Sequence, residues 1–438
     1  MRERIQGSIL RITLILLFIS IIDTLSASQG EIIWKYKTGS QIWSSPCIAD
    51  DVVYFGSNDG YLYALNAIDA SLEWKYYAGN LIYSSPCVTD SSVFFGCWDC
   101  FFYCLSREDG SIKWKLLTGN TIFSSPSEAD GIVYTGSNDS YLYAIDCSSG
   151  GMVWKYKTEG EVQSSPRLKD GIVYFGSWDT NLYALGAIDA SLKWQYKTNA
   201  PILSSPCITD SLIYIGNFNG SYTDGYLYAL RIADGSLKWT YIMDGIIYCS
   251  SPSVSDSLVF VGSYDSFIYA INAADGNLVW KYPTGSSISY SSPCIYNGIL
   301  YTGSDDYYFY AVNINDGTLR WNFQTAGWVF SSPCIYNGAV YFGSCDFNFY
   351  ALQTDDYTNF RISKTSTKQP LYYISISPNP FSSRLSISLP SSGAIYSLTG
   401  QLIMKFPKGK HSLDTSKWKQ GVYIVKSGKE MKRVVKVR

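Results

Sequence analysis

A single histidine, His411, stands in a chain of 438 residues, and only 16% of the residues are charged. The first scarcity removes the main actor of a Ser-His-Asp triad, of an imidazole-based zinc cluster and of a His-gated pH switch. The second, with a formal net charge of −2, excludes the basic surface a nucleic-acid binder needs and the charge-rich composition of a disordered chain. Beyond residue 30 no apolar run reaches the roughly 20 residues of a transmembrane helix. What the chain has instead is 38 Tyr, 13 Trp and 36 Gly, a composition suited to short strands and tight turns.

Near the start, Arg2, Arg4 and Arg11 precede the apolar run Ile12 to Ile22, and the small residues Ser26, Ala27 and Ser28 follow. This pattern reads as a secretory signal peptide over 1–28. No Cys lies near the cleavage region, so a lipid anchor is not supported. Charge then divides by region. Residues 29–360 carry 16 Lys and Arg against 32 Asp and Glu, a net of −16, whereas 361–438 carry 15 against 2, a net of +13. The polar stretch 354–370 reads as a linker between two modules of opposite sign.

From residue 31 one unit recurs. Trp stands at 34, 74, 114, 154, 194, 239, 280 and 321; Ser-Ser-Pro starts at 44, 84, 124, 164, 204, 250, 291 and 331; Gly follows at 56, 96, 136, 176, 216, 262, 303 and 343. Within one copy, residues 41–78, turn residues at Asp50-Asp51, Asn58-Asp59-Gly60 and Asp69-Ala70-Ser71 separate four β-rich runs. Four strands in about 40 residues is the pattern of a propeller blade. Eight copies predict an all-β, eight-bladed propeller over 29–353. The last copy stops at Ala351-Leu352 without its own Trp strand, and the lone strand Glu31 to Thr38 supplies the missing one, which would close the ring and remove an exposed edge.

The segments GIVYFGSWDTNLYALGAIDASLKW (171–194) and LVFVGSYDSFIYAINAADGNLVW (258–280) resemble the PQQ-like β-propeller repeat found in quinoprotein dehydrogenases and in the outer-membrane assembly factor BamB. The resemblance implies the fold; it leaves open an enzyme, a binding module or a BamB-like assembly scaffold, because such folds host all three. In the dehydrogenases PQQ lies between a Trp and a disulfide of adjacent cysteines, beside calcium. No adjacent Cys pair occurs in this chain, so a PQQ-dependent oxidoreductase is the alternative and no cofactor is assigned.

Residues 371–438 show alternating runs at 385–389, 394–398, 402–406, 422–425 and 434–437, bounded by Pro, Gly and Ser, and so predict a small β-sandwich. ISPNPF (376–381), AIYSLTGQLI (394–403) and LDTSKWKQGVYIVK (413–426) resemble the C-terminal sorting domain of type IX secretion cargo. That resemblance implies recognition by the secretion machinery and a secreted or cell-surface destination.

Recurring residues are first read as architecture. Asp59, Asp99, Asp139, Asp179, Asp224, Asp265, Asp306 and Asp346 each flank a turn, where a carboxylate can accept backbone N–H groups. The eight repeat Trp are expected to pack between blades. Cys47, Cys87, Cys207, Cys294 and Cys334 follow Ser-Ser-Pro where other copies carry Ser127, Ser253 or Arg167, which marks a small position rather than a disulfide. Cys97 and Cys100 flank a tight turn and can pair only if their Cα atoms approach within about 4.4–6.8 Å. Neither a metal site nor a catalytic residue is assigned.

Period breaks are the remaining information. Blade five lengthens its second turn in GNFNGSYTDGYLY (216–228), and the connections into blades six and seven gain one residue each, near 244–248 and 286–290. These breaks share one face with the aromatics Trp98, Trp178, Phe218 and Tyr264 and with Trp43, Tyr83, Phe123, Tyr290 and Phe330. The candidate partner-binding residues are Asn217, Phe218, Asn219, Tyr222, Asp224, Asp244, Tyr248, Tyr264 and Tyr290, and the expected partner is a protein or carbohydrate at the face of blades five to seven. Rim packing is the competing reading of the aromatics.

Overall fold

The computed structural model describes residues 29–354, apart from 220–222 and 256, and seven strands within 375–436. The segment 1–28, most of the linker and Tyr222 lie outside the described residues. The chain divides into two compact units at residues 359 and 360. In the first unit, eight four-stranded antiparallel sheets follow one another. Blade one is typical, with strands Cys47–Ala49, Val52–Gly56, Tyr61–Asn66 and Leu72–Tyr77 from the axis outward.

Blade eight takes three strands, Cys334–Tyr336, Ala339–Gly343 and Asn348–Gln353, from the end of the repeat and its outermost, Ile32–Lys37, from the beginning. Tyr36 faces Phe349 and Lys37 faces Asn348 in the closing pair. Gly30 N donates to Gln353 O at 3.1 Å and Gln353 N to Glu31 O at 2.9 Å, extending the seam. The ring thus has no free end on its last blade, as the complementary missing parts of the sequence require.

Cohesion lies between blades rather than within them. Tyr54, Leu62 and Trp74 of blade one pack on Val93, Phe95 and Tyr103 of blade two, and Val53 and Phe55 of blade one pack on Tyr341 and Phe349 of blade eight. The marker glycine is a consequence of this contact. A Cβ on Gly56 would lie 2.3 Å from Cγ2 of Ile82, and one on Gly343 would lie 2.2 Å from Cγ2 of Ile42, so only glycine lets the next blade's β-branched residue seat. The repeat Trp ties the same neighbours from outside. Trp74 Nε1 donates to Arg107 O at 3.0 Å, and Trp239 Nε1 donates to Ala273 O at the same distance.

The second unit has two antiparallel sheets: Ser375–Ser377, Arg384–Leu389 and Gly409–Asp414 in one, Leu402–Phe406, Gly393–Ser397, Gly421–Ser427 and Glu430–Lys436 in the other. The strand Gly409–Asp414, which holds the only histidine, was not among the predicted runs. Its text GKHSLD is too polar to stand out by alternation, and pairing with Arg384–Leu389 makes it a strand.

Candidate functional site

The Ser-Ser-Pro marker builds the lining of the propeller axis. In blades one to seven the first Ser accepts the N–H of that blade's marker glycine, as Ser44 Oγ does from Gly56 N at 3.0 Å. The second Ser joins neighbours: Ser45 N donates to Ser85 Oγ, Ser85 to Ser125, Ser125 to Ser165, Ser165 to Ser205, Ser205 to Ser251, Ser251 to Ser292, Ser292 to Ser332, and Ser332 back to Ser45, all at 2.9–3.1 Å. Eight bonds therefore run once around the axis. The spacing of the marker does not reveal this role, because its partners are 40 or more residues apart.

The residue before each marker crowns this serine ring. Trp43 lies 4.5 Å from Tyr83, 4.9 Å from Phe330 and 5.1 Å from Tyr290 by ring centroids, while Tyr83 lies 5.0 Å from Phe123. Together with the serine ring they line an open cavity of ≈ 500 Å³. Rim packing therefore accounts for these aromatics, which touch one another and gain edge and stacking contacts.

A turn ring surrounds the crown on the same face, tied to it by backbone bonds such as Asn58 N to Gln41 O and Trp98 N to Leu81 O. Here Asn58 Oδ1, Trp98 Nε1, Asn138 Oδ1, Trp178 Nε1 and Asp305 Oδ1 are buried without a protein partner. Burial raises the Asp305 carboxyl to about 6, against Ser289, whose hydroxyl donates to it.

The nine candidate residues separate into two sets. Phe218 is buried on Leu203 and Ile246 and continues through Tyr248 (5.2 Å) to Tyr290 (5.3 Å), so these three join the aromatic crown. Asn217 is fully buried; its side chain accepts from Tyr226 N and donates to Asn199 Oδ1. Asn219 is partly buried; Asp224 and Asp244 are exposed, and Tyr264 is 39% exposed.

Asp224 corrects one expectation. In the other seven blades the turn Asp accepts both a backbone N–H two residues on and the hydroxyl of a Tyr four residues on, as Asp59 does from Tyr61 N and Tyr63. In blade five that Tyr, Tyr228, donates to Asn199 Oδ1 instead, and Asn217 takes the N–H. The longer turn carries Asp224 away from the hydroxyl, and two amides replace one carboxylate.

Four exposed aromatics concentrate on the same face in blades six to eight: Tyr264, Tyr307 at 43%, Trp328 at 43% and Phe347 at 38%. Tyr307 and Phe347 hold φ of +74° and +72°, a region costly for bulky residues. Equivalent turns elsewhere place Gly60, Cys100, Ser140, Thr180 and Ser266 there. A bulky residue at a position otherwise kept small was the legible clue.

All eleven cysteines are free, Cys97 and Cys100 included. Burial pushes Cys334 and Cys345 up to about 12 and Cys294 to about 11, so these thiols are protonated and unreactive near neutrality. Among the described residues no three His, Cys, Asp or Glu side chains converge to hold a metal ion. With the aromatic crown across the axis and no adjacent Cys pair, the residues present do not fit the quinone-and-calcium arrangement that the fold resemblance implies.

The repeats at 22–97, 102–245, 221–296 and 245–359 match the family described as outer membrane protein assembly factor BamB, and 375–437 match the secretion system C-terminal sorting domain. No curated protein matches the chain. Among solved structures, BamB from Moraxella catarrhalis is 18% identical with a TM-score of 0.64, covering 76% of this chain and all of that one. The quinohemoprotein alcohol dehydrogenase from Comamonas testosteroni is 13% identical with a TM-score of 0.66, covering 78% of each chain, and the computationally designed Ika8 protein is 16% identical with a TM-score of 0.65, covering 74% of this chain and all of that one. At such identities the likeness is one of fold. By the repeats that make up its ring, the chain belongs to the BamB family, joined to a C-terminal sorting domain of a secretion system.

Proposed function

We propose that the protein is a secreted or cell-surface, non-catalytic propeller that binds a polymer or protein partner through the crown face of its later blades. The observation that carries this is the pair Tyr307 and Phe347, exposed aromatics held at positive φ where smaller residues serve the other turns. Backbone strain of this kind persists where a side chain is used. Tyr264 and Trp328 extend the aromatic surface, and Asp224 and Asp244 add exposed acceptors. Flat rings beside carboxylates suit sugar faces or a basic protein segment. The sorting domain and the signal-like segment 1–28 support delivery by the type IX machinery to the outer surface.

The test is a triple substitution, Tyr264→Ala, Tyr307→Ala and Trp328→Ala, screened with the wild type against a glycan array and immobilised envelope proteins. Loss of at least tenfold in affinity for a captured ligand is expected; equal binding to every ligand would refute the site. A BamB-like envelope scaffold is the second reading, favoured by family membership. Cell fractionation separates them, since retention in the periplasm belongs to the scaffold and surface exposure or release to the first reading.

A further inference from the structure

The axial cavity contains one ionic side chain. Arg167 opens the innermost strand of blade four, where every other blade has Cys or Ser, and it lines the cavity beneath the crown. Its side chain is exposed to the open space along the axis, and the protein packed around that space disfavours its charge. The ion pairs among the described residues are Arg107–Asp50 and Lys169–Asp210; Arg167 forms no ion pair and no hydrogen bond with any described residue.

A guanidinium cannot shed its proton at physiological pH. Its neighbours Cys87 and Cys207 cannot compensate it either, because burial raises their thiols to about 12 and about 11 and leaves them neutral. No carboxylate lines the cavity. A permanent cation lining a cavity with no carboxylate beside it draws its counter-ion from solution.

The serine ring faces the same space. Each of its eight hydroxyl oxygens already accepts a neighbour's N–H, and none donates to an acceptor among the described residues. Their O–H groups are therefore available as donors. One permanent cation and a circle of free hydroxyl donors, walled by Pro and aromatic side chains, is a chemistry that selects negative charge with several terminal oxygens.

We propose that the axial cavity binds a small oxyanion, a carboxylate, phosphate or sulfate group, held by the fork of Arg167 and by serine-ring hydroxyls. The test uses the full chain in Tris-chloride buffer, titrated calorimetrically with inorganic phosphate, sulfate and acetate, with melting followed in parallel. Saturable binding near one per chain is expected for at least one anion, together with a melting temperature that climbs with its concentration. The preferred anion tells a tetrahedral group from a planar one. Arg167→Gln should weaken binding at least tenfold while melting, without anion, within about a degree of the wild type, because the exposed side chain makes no hydrogen bond or ion pair with the fold. Arg167→Lys keeps the charge but loses the fork, so intermediate affinity is expected and guards against a misfolded glutamine variant. Absence of saturable binding for all three anions, or equal affinity in wild type and variants, would overturn the assignment.

Discussion

Blades one to four and blades five to eight are built from the same contacts but differ on one face. Ser-Ser-Pro recurs every 40 residues from 44 to 204, after which the interval becomes 46 and then 41. The serine ring, the Gly–Ile seats and the Trp ties cross from the regular half to the irregular half without a gap. The extra residues fall in turns and connections, outside the paired strands. Packing between blades therefore tolerates them, and the face that carries them is free to vary.

The largest expected effect tests whether the shared layer is equal in both halves. Trp74→Ala and Trp239→Ala each remove a side chain only 8–9% exposed and its bond to the next blade, and each should cost about 3–5 kcal/mol. Chemical denaturation measures both. A difference above about 1 kcal/mol would show that the halves are not held alike.

Next in size is a return of blade seven to the regular pattern. Asp305 occupies the turn position held by Asn58 and Asn138, and its carboxyl is raised from 3.8 to about 6 chiefly by burial, with Asp306 adding to it and Ser289 opposing it. A raised carboxyl favours the native state while protonated, so its contribution is complete below about pH 4 and is lost as pH rises through about 6. Asp305→Asn should abolish that decline and stabilise the fold at pH 7.5 by roughly 1–3 kcal/mol. Thermal melts from pH 4 to 8 on both proteins check it; parallel curves would contradict the placement of the carboxyl.

The smallest effect on stability concerns Tyr307→Gly, which gives blade seven the residue type of Gly60. Relief of the positive φ should add about 1 kcal/mol while the partner affinity falls. A destabilised variant would mean that Tyr307 serves the fold rather than a partner.

Much of this comparison can be read from the sequence. Three markers in fixed phase give eight blades, and the missing Trp strand of the last copy predicts closure by Ile32–Lys37. The turn role of the Asp residues is legible in seven blades because it acts within four residues. It fails at Asp224, where the five extra residues change which side chain reaches Tyr228, a question of distance that spacing alone does not answer. Phe218 and Tyr248 look like ligand-facing aromatics for a similar reason, since a period break locates a turn but not the side of it that is buried.

The sequence by itself determined the architecture, because each blade depends on alternation, turn chemistry and glycine at places set by local spacing, and eight repetitions make that pattern redundant. Only the tertiary structure decided the axis. There, residues 40 to 46 apart meet at each step between blades and Ser332 meets Ser45 across 287 residues, so the continuous serine ring, the aromatic crown and the lone cation Arg167 on the axis exist only in the closed ring.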